Sequence, residues 1–128
     1  MSRQFFGSHP RLKDGRRTPL SHAVRAGDFV YVSGQVPFGP DGKLVTSGFE
    51  DQVHQVIENL GNVLADAGCT LSDIIKCTVW LEDVRNFVSF NDVYGQYFRE
   101  NPPARSTVHS TLMIDAGVEI EAIAYKPL

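Results

Sequence analysis

Ile74-Ile75-Lys76-Cys77-Thr78-Val79-Trp80-Leu81 is a run of β-branched, apolar and aromatic residues with a helical pattern on either side of it. Strand alternation sends Ile75, Cys77, Val79 and Leu81 to one face and Ile74, Lys76, Thr78 and Trp80 to the other. The first face is wholly apolar and is expected to meet a helix. The second carries a lysine and a large aromatic, so it is expected to meet something different, such as another subunit.

Before this strand, Val53, Val56, Ile57, Leu60, Val63, Leu64 and Ala67 recur at three- and four-residue spacing. Glu50, Asp51, Glu58, Asn59 and Asp66 fall mostly outside that stripe, which predicts an amphipathic helix of about five turns. Gly68 suits the position just past its end. Ser47 is the expected N-cap, with Glu50 completing a capping box. After the strand, a second helix is expected from Val84 or Asn86 through Phe98. Asn101-Pro102-Pro103 stops it, because proline cannot continue the hydrogen-bond ladder.

Phe29-Val30-Tyr31-Val32 reads as an earlier strand stopped by Ser33-Gly34, and Pro40-Asp41-Gly42 marks a turn in the loop that follows. The last two strands are expected over residues 105–112 and 118–126. The short segment between them predicts a hairpin, which would bring Arg105 near Glu119. Residues 1–21, rich in Pro, Gly and Arg, read as irregular, with room for short strands before Phe29. The order β–α–β–α–β–β predicts an α+β, two-layer fold with both helices on one face of a mixed sheet. Two helices leave the other face open, so a homo-oligomer is expected to cover it.

The totals allow a single domain. A chain of 128 residues with 42% apolar and 21% charged residues can bury its own core. No apolar run is long enough to span a bilayer as a helix, and no membrane partner is expected. The start, Met1-Ser2-Arg3-Gln4-Phe5-Phe6, lacks a signal-peptide core, so the cytoplasm is the expected compartment. Cys69 and Cys77 are then expected as reduced thiols. His9, His22, His54 and His109 are scattered singly, without metal-ligand spacing, so no metal is expected. Neither a glycine-rich dinucleotide fingerprint nor a P-loop is present, and no nucleotide cofactor is expected.

Charge is uneven. In residues 1–22, Arg3, Arg11, Lys13, Arg16 and Arg17 stand against Asp14, a net of +4; seven basic and fourteen acidic residues give the remainder −7. A basic arm can touch phosphates, but an acidic body argues against a broad nucleic-acid surface.

Two places carry chemistry. Arg105 follows Pro102-Pro103-Ala104 at a loop–strand boundary, where it either anchors the strand start to an acid or grips an anion. Thr107 and His109 share its face. Glu119 and Glu121 are carboxylates within an otherwise apolar strand, where burial is costly without a partner, and the residues themselves do not say which one functions. Ser33-Gly34 can aim backbone N–H groups at a carboxylate, and Asn91 lies among aromatic residues on the second helix. His22 and His109 read as hydrogen-bonded or surface histidines rather than bases.

Several segments together resemble the Rid family (YjgF/YER057c/UK114), the reactive imine/enamine deaminases. They are Val32-Ser33-Gly34-Gln35-Val36-Pro37, Asn59, Ile75-Lys76-Cys77-Thr78-Val79, Phe90-Asn91-Asp92-Val93-Tyr94 with Phe98, Pro103-Ala104-Arg105-Ser106 and Val118-Glu119-Ile120-Glu121-Ala122-Ile123-Ala124. The resemblance spans residues 18–126 in family order. It divides the chain into a basic arm, 1–17, and one Rid-like domain, 18–128.

The resemblance implies a chorismate-mutase-like fold and a homotrimer with a cleft between each pair of subunits. It implies that Arg105 holds a substrate carboxylate and that Glu119 positions or activates water, with Ser33, Gly34 and Asn91 lining the cleft. The implied reaction is hydrolysis of 2-aminoacrylate and related 2-imino acids to 2-oxo acids and ammonia, without a cofactor. Two other roles stand beside it: carboxylate-metabolite binding or regulation in the same cleft, and the RNA cleavage or translation inhibition described for some relatives, which only the basic arm supports.

The chain also departs from the family pattern. Where the family reads Gly-Pro-Tyr-Ser, this chain has Thr18-Pro19-Leu20-Ser21, so the substrate-lining Leu20 supplies no hydroxyl. Thr107, also counted among the lining residues, stands where many members carry cysteine. The turn at Met113-Ile114-Asp115-Ala116-Gly117 lacks the usual proline. These changes point to weaker turnover or to a different substrate, including a larger unsaturated amino acid such as an aminomuconate.

Overall fold

The computed structural model describes residues 2–12 and 14–128; Met1 and Lys13, the latter read as part of the basic arm, lie outside the described residues. The elements are β1 Arg3–Ser8, β2 Ser21–Ala26, β3 Phe29–Gln35, α1 Phe49–Asp66, β4 Ile74–Leu81, α2 Phe87–Tyr97, β5 Ala104–His109 and β6 Val118–Tyr125. They form one mixed sheet in the order β1-β2-β3-β6-β4-β5, with both helices on one face. This is the expected two-layer α+β architecture. No helix among the described residues is long and apolar enough to cross a membrane.

The stripe on α1 does what its spacing predicts. Val53, Val56, Ile57, Leu60, Val63 and Leu64 are buried against Val30, Val32, Cys77, Val79, Ile120 and Ala122 of the sheet. Gly68 ends the helix at φ 78°, a left-handed conformation that glycine adopts without a Cβ penalty. Its N–H reaches Ala65 O at 3.0 Å while Cys69 N–H reaches Leu64 O at 2.8 Å, the paired bonds of a Schellman cap. The expected N-cap is different. Gly48 occupies that position, and the Ser47 hydroxyl instead donates to the Asp51 carboxylate at 2.6 Å.

Three further expectations are corrected. The arm is not irregular throughout: β1 pairs antiparallel with β2, Phe5 opposite Val24 and Phe6 opposite Ala23. Its side chains are nearly all exposed, so backbone pairing holds it and no apolar alternation signals it. In β4 a register shift between Ile74 and Lys76 puts Ile74 in the core and leaves Ile75 exposed. An inserted residue flips the side chains on one side of it.

The third correction matters most. The last two strands do not form a hairpin. β5 runs parallel to β4, with Arg105 beside Cys77, and β6 lies on the other side of β4 with Ala122 beside Cys77. The β4–α2–β5 unit is a crossover, which returns the chain parallel to its starting strand. β6 is antiparallel to both of its neighbours, β3 and β4.

Candidate functional site

β5 is an edge strand, and its position beside α2 decides the surroundings of Arg105. Phe87, Phe90, Asn91 and Tyr94 recur at i, i+3, i+4 and i+7, so they share one helical face. That face forms an aromatic shelf under the guanidinium. Arg105 Cζ lies 4.8 Å from the Tyr94 ring centroid, 5.3 Å from Phe90 and 5.9 Å from Phe87. One Nη donates to Asn91 Oδ1 at 2.8 Å. No carboxylate among the described residues pairs with it.

A half-buried cation is thus held flat by neutral groups, with most of its five donors uncommitted. Such a mount favours two-pronged capture of an external carboxylate. The aromatic members of the shelf escaped the sequence reading as site residues. Their spacing on α2, centred on Asn91, was the signal that could have found them.

Tyr94 is more than a platform. Its hydroxyl is buried, with no nitrogen or oxygen partner among the described residues, and lies against the Cys77 thiol. Burial pushes the Tyr94 phenol up, and the adjacent Cys77 adds to the effect. Burial also raises the Cys77 thiol. Both groups therefore stay protonated at neutral pH beneath the cation.

Glu119 sits elsewhere. It is opposite Trp80 on β4, on the face of the sheet that the helices leave open, whereas Arg105 lies on the helix side. Two strand spacings and three residues separate the two positions, roughly 10 Å across and about 10 Å along the sheet. One copy of the chain therefore does not bring the pair together, contrary to the expectation of a hairpin.

The bulge in β3 accounts for the seat of Glu119. The register shifts between Val32 and Gln35, so Ser33 and Gly34 bow out of the ladder. The Glu119 carboxylate fills the space over Gly34: a Cβ there would overlap Oε2 and lie 3.1 Å from Cδ. Burial, and then the neighbouring charge of Glu121, push the Glu119 carboxyl above its ordinary value of 4.5. No lysine or arginine among the described residues pairs with it. A carboxylate in this state is a better proton acceptor than a free one. Gly34→Ala is expected to evict the carboxylate and cost the Glu119-dependent activity at least tenfold, with the far-UV spectrum unchanged. Wild-type turnover in that variant would show that the seat is irrelevant.

Leu20, Ser33 and Gly34 line one groove of about 290 Å³ with Thr18, His22 and Asn59. The Ser33 hydroxyl donates to Ser21 O at 2.6 Å, so it offers an outside group its lone pairs rather than its proton. Asn59 donates to Val36 O and Phe38 O at 3.0 Å each and ties the loop after the bulge to α1. The predicted residues thus gather into two half-sites. Arg105, Asn91 and Thr107 form one; Glu119, Gly34, Ser33 and Leu20 form the other. Among the described residues no cluster of three or more His, Cys, Asp or Glu is arranged to hold a metal.

Comparison with known proteins identifies the family of this fold. A family described as Endoribonuclease L-PSP matches residues 15–126. A RutC family protein of Pyrococcus horikoshii is 46% identical over 110 residues, covering 84% of this chain and 87% of that protein. The human 2-iminobutanoate/2-iminopropanoate deaminase is 38% identical over 108 residues, covering 83% of this chain and 79% of the human protein. Among solved structures, yeast Mmf1 superimposes with a TM-score of 0.87 at 35% identity, covering 98% of this chain and 99% of that one. RidA from an Antarctic Psychrobacter gives a TM-score of 0.79 at 38% identity, over 84% and 89% of the two chains. The chain belongs to the Rid (YjgF/YER057c/UK114) family.

Proposed function

We propose that the protein is a cofactor-independent deaminase of reactive 2-imino and enamine acids, working as a cytoplasmic homotrimer with its active sites between subunits. The observation that carries this reading is Arg105, a guanidinium mounted on neutral groups with no carboxylate among the described residues to satisfy it. The names of the human and bovine deaminases, 38% and 41% identical to this chain, supply the reaction. The two buried free cysteines fit a reducing compartment.

The split between the half-sites supports a shared cleft. Arg105 and Glu119 lie on opposite faces of one sheet, and a cleft that uses both would draw the acid from a second copy. The open face is suited to being covered. Phe29, Tyr31, Val108 and Tyr125 are exposed on it, and the Phe29 and Tyr125 rings pack 5.3 Å apart. These exposed apolar side chains, set among Lys76, Thr78 and Glu121, support burial of this face against a second copy.

The chemistry follows from the two groups. The enamine tautomerises to the imine, and Arg105 fixes its carboxylate, which orients the adjacent electrophilic carbon. Glu119 from the neighbouring copy accepts a proton from water as the oxygen–carbon bond forms. The proton passes to nitrogen, giving a tetrahedral carbinolamine; its hydroxyl proton is then carried to the same nitrogen as the carbon–oxygen double bond forms and the carbon–nitrogen bond breaks, and a 2-oxo acid and ammonia leave. One water is consumed and no redox change occurs.

Mixing inactive copies tests the shared cleft. Arg105→Ala and Glu119→Gln chains, each inactive alone, are refolded together and assayed with imines made in place by an amino-acid oxidase. Random assortment in a closed ring restores about a quarter of the clefts. No recovery in assembled mixed rings would place both residues in one subunit's site and refute the shared cleft. A carboxylate-binding role without turnover is the second reading, favoured by Leu20, which enters the Ser33–Gly34 groove with no hydroxyl to give.

A further inference from the structure

We propose that the recess beside Arg105 receives the substrate's side chain, and that it selects 2-imino acids with branched or aromatic hydrocarbon side chains over 2-aminoacrylate. This rests on the deaminase reading above and names the substrate class for the same site.

The recess has a volume of about 300 Å³ and is walled by Leu81, Val84, Phe87, Thr107, Val108 and His109. Two of these residues join it to the anion grip. The Phe87 ring also lies 5.9 Å from the Arg105 guanidinium carbon. Thr107 is the next residue on the same face of β5, about 7 Å further along the strand. In a 2-imino acid the side chain begins two bonds from the carboxylate carbon. A carboxylate seated on Arg105 therefore puts that side chain at the mouth of the recess.

The walls determine what fits. Leu81, Val84 and Phe87 offer only hydrocarbon. Thr107 has a hydroxyl, and His109 Nε2 is already engaged with the Glu82 carbonyl at 3.1 Å. No wall residue is a carboxylate, lysine or arginine, so a charged side chain would be desolvated there without a partner. The methylene of 2-aminoacrylate leaves most of the space unfilled, whereas a leucine- or phenylalanine-sized group covers it. Val84 and Phe87 are 61% and 43% exposed, so the surface to be covered is real. Each added methylene in an apolar pocket favours a substrate by roughly tenfold or more.

The experiment measures kcat/KM on imines generated from alanine, leucine, phenylalanine and glutamate, with isocaproate and propionate as stable binding probes in calorimetry. Wild type is expected to prefer the leucine-derived imine to the alanine-derived one by at least about tenfold, and isocaproate to propionate in the same direction. Val84→Asp and Val84→Ser both change a surface residue of the recess, and each is expected to pull the leucine-to-alanine ratio towards one.

A flat panel with clear activity on the alanine-derived imine overturns the side-chain pocket and leaves the deaminase reading standing. An unmoved ratio in both variants does the same, including the case where Val84→Asp changes only the oligomeric state. Hydrolysis of none of the imines overturns the deaminase reading; selectivity between the two probes would then still assign the recess, and equal binding would remove it as well.

Discussion

Arg105→Ala is expected to lower imine hydrolysis by about 100- to 1000-fold, the range for losing a charge-stabilising donor group in an enclosed site. The fold should survive the change. Arg105 is at an edge strand, its one hydrogen bond goes to exposed Asn91, and the aromatic shelf packs without it. The lost cation–π contacts cost about 1 kcal/mol, a small shift in melting temperature. Arg105→Lys separates charge from shape: the ammonium keeps the attraction but cannot present a planar fork, so it should fall between wild type and alanine. Substrate made in place by an oxidase, followed as ammonia and 2-oxo acid, gives the rates. Full activity in the alanine variant, with the oligomer intact, would remove the anion grip from the mechanism.

Glu119→Gln is expected to cost about 10²- to 10⁴-fold, the usual contribution of a positioned base. The pH profile identifies the group. Burial and the Glu121 charge both disfavour the ionised form, so the Glu119 carboxyl titrates above its ordinary 4.5. A base must be ionised to act. kcat/KM should therefore rise with pH through a value above 4.5 and then level off. Glu121→Gln removes the like charge, favours ionisation, and should move that rise to lower pH while leaving the plateau in place. Glu119→Gln should remove the rise altogether. If Glu121→Gln abolished activity and Glu119→Gln did not, the assignment between the two acids would be reversed.

Much of this arrangement is legible in the residues. Three- and four-residue spacing from Val53 to Leu64 marks α1 and its buried face, because helical periodicity is local. Alternation on β6 correctly separates Glu119, Glu121 and Ile123 from buried Val118, Ile120 and Ala122. Pro102-Pro103 marks the stop between α2 and β5, since proline cannot donate to the ladder. Other features leave no local trace. β1 is held by backbone pairing alone, and the shifts at Ile74–Lys76 and Val32–Gln35 arise from fitting neighbouring strands. The shelf under Arg105 combines a helix face with a strand residue that meets it only after the crossover.

The sequence by itself determined the α+β class, the length and buried face of α1, and the residue types of an anion grip and a proton acceptor. These depend on dihedral preference and periodicity within a few residues. Only the tertiary structure decided that β4 and β6 separate Arg105's strand from β3, and that Arg105 and Glu119 face opposite sides of the sheet. Strand order is settled by contacts between segments tens of residues apart, where many pairings satisfy the same local pattern. The two residues that read in sequence as neighbours on a hairpin lie, in the fold, on opposite faces of the sheet with β4 between their strands.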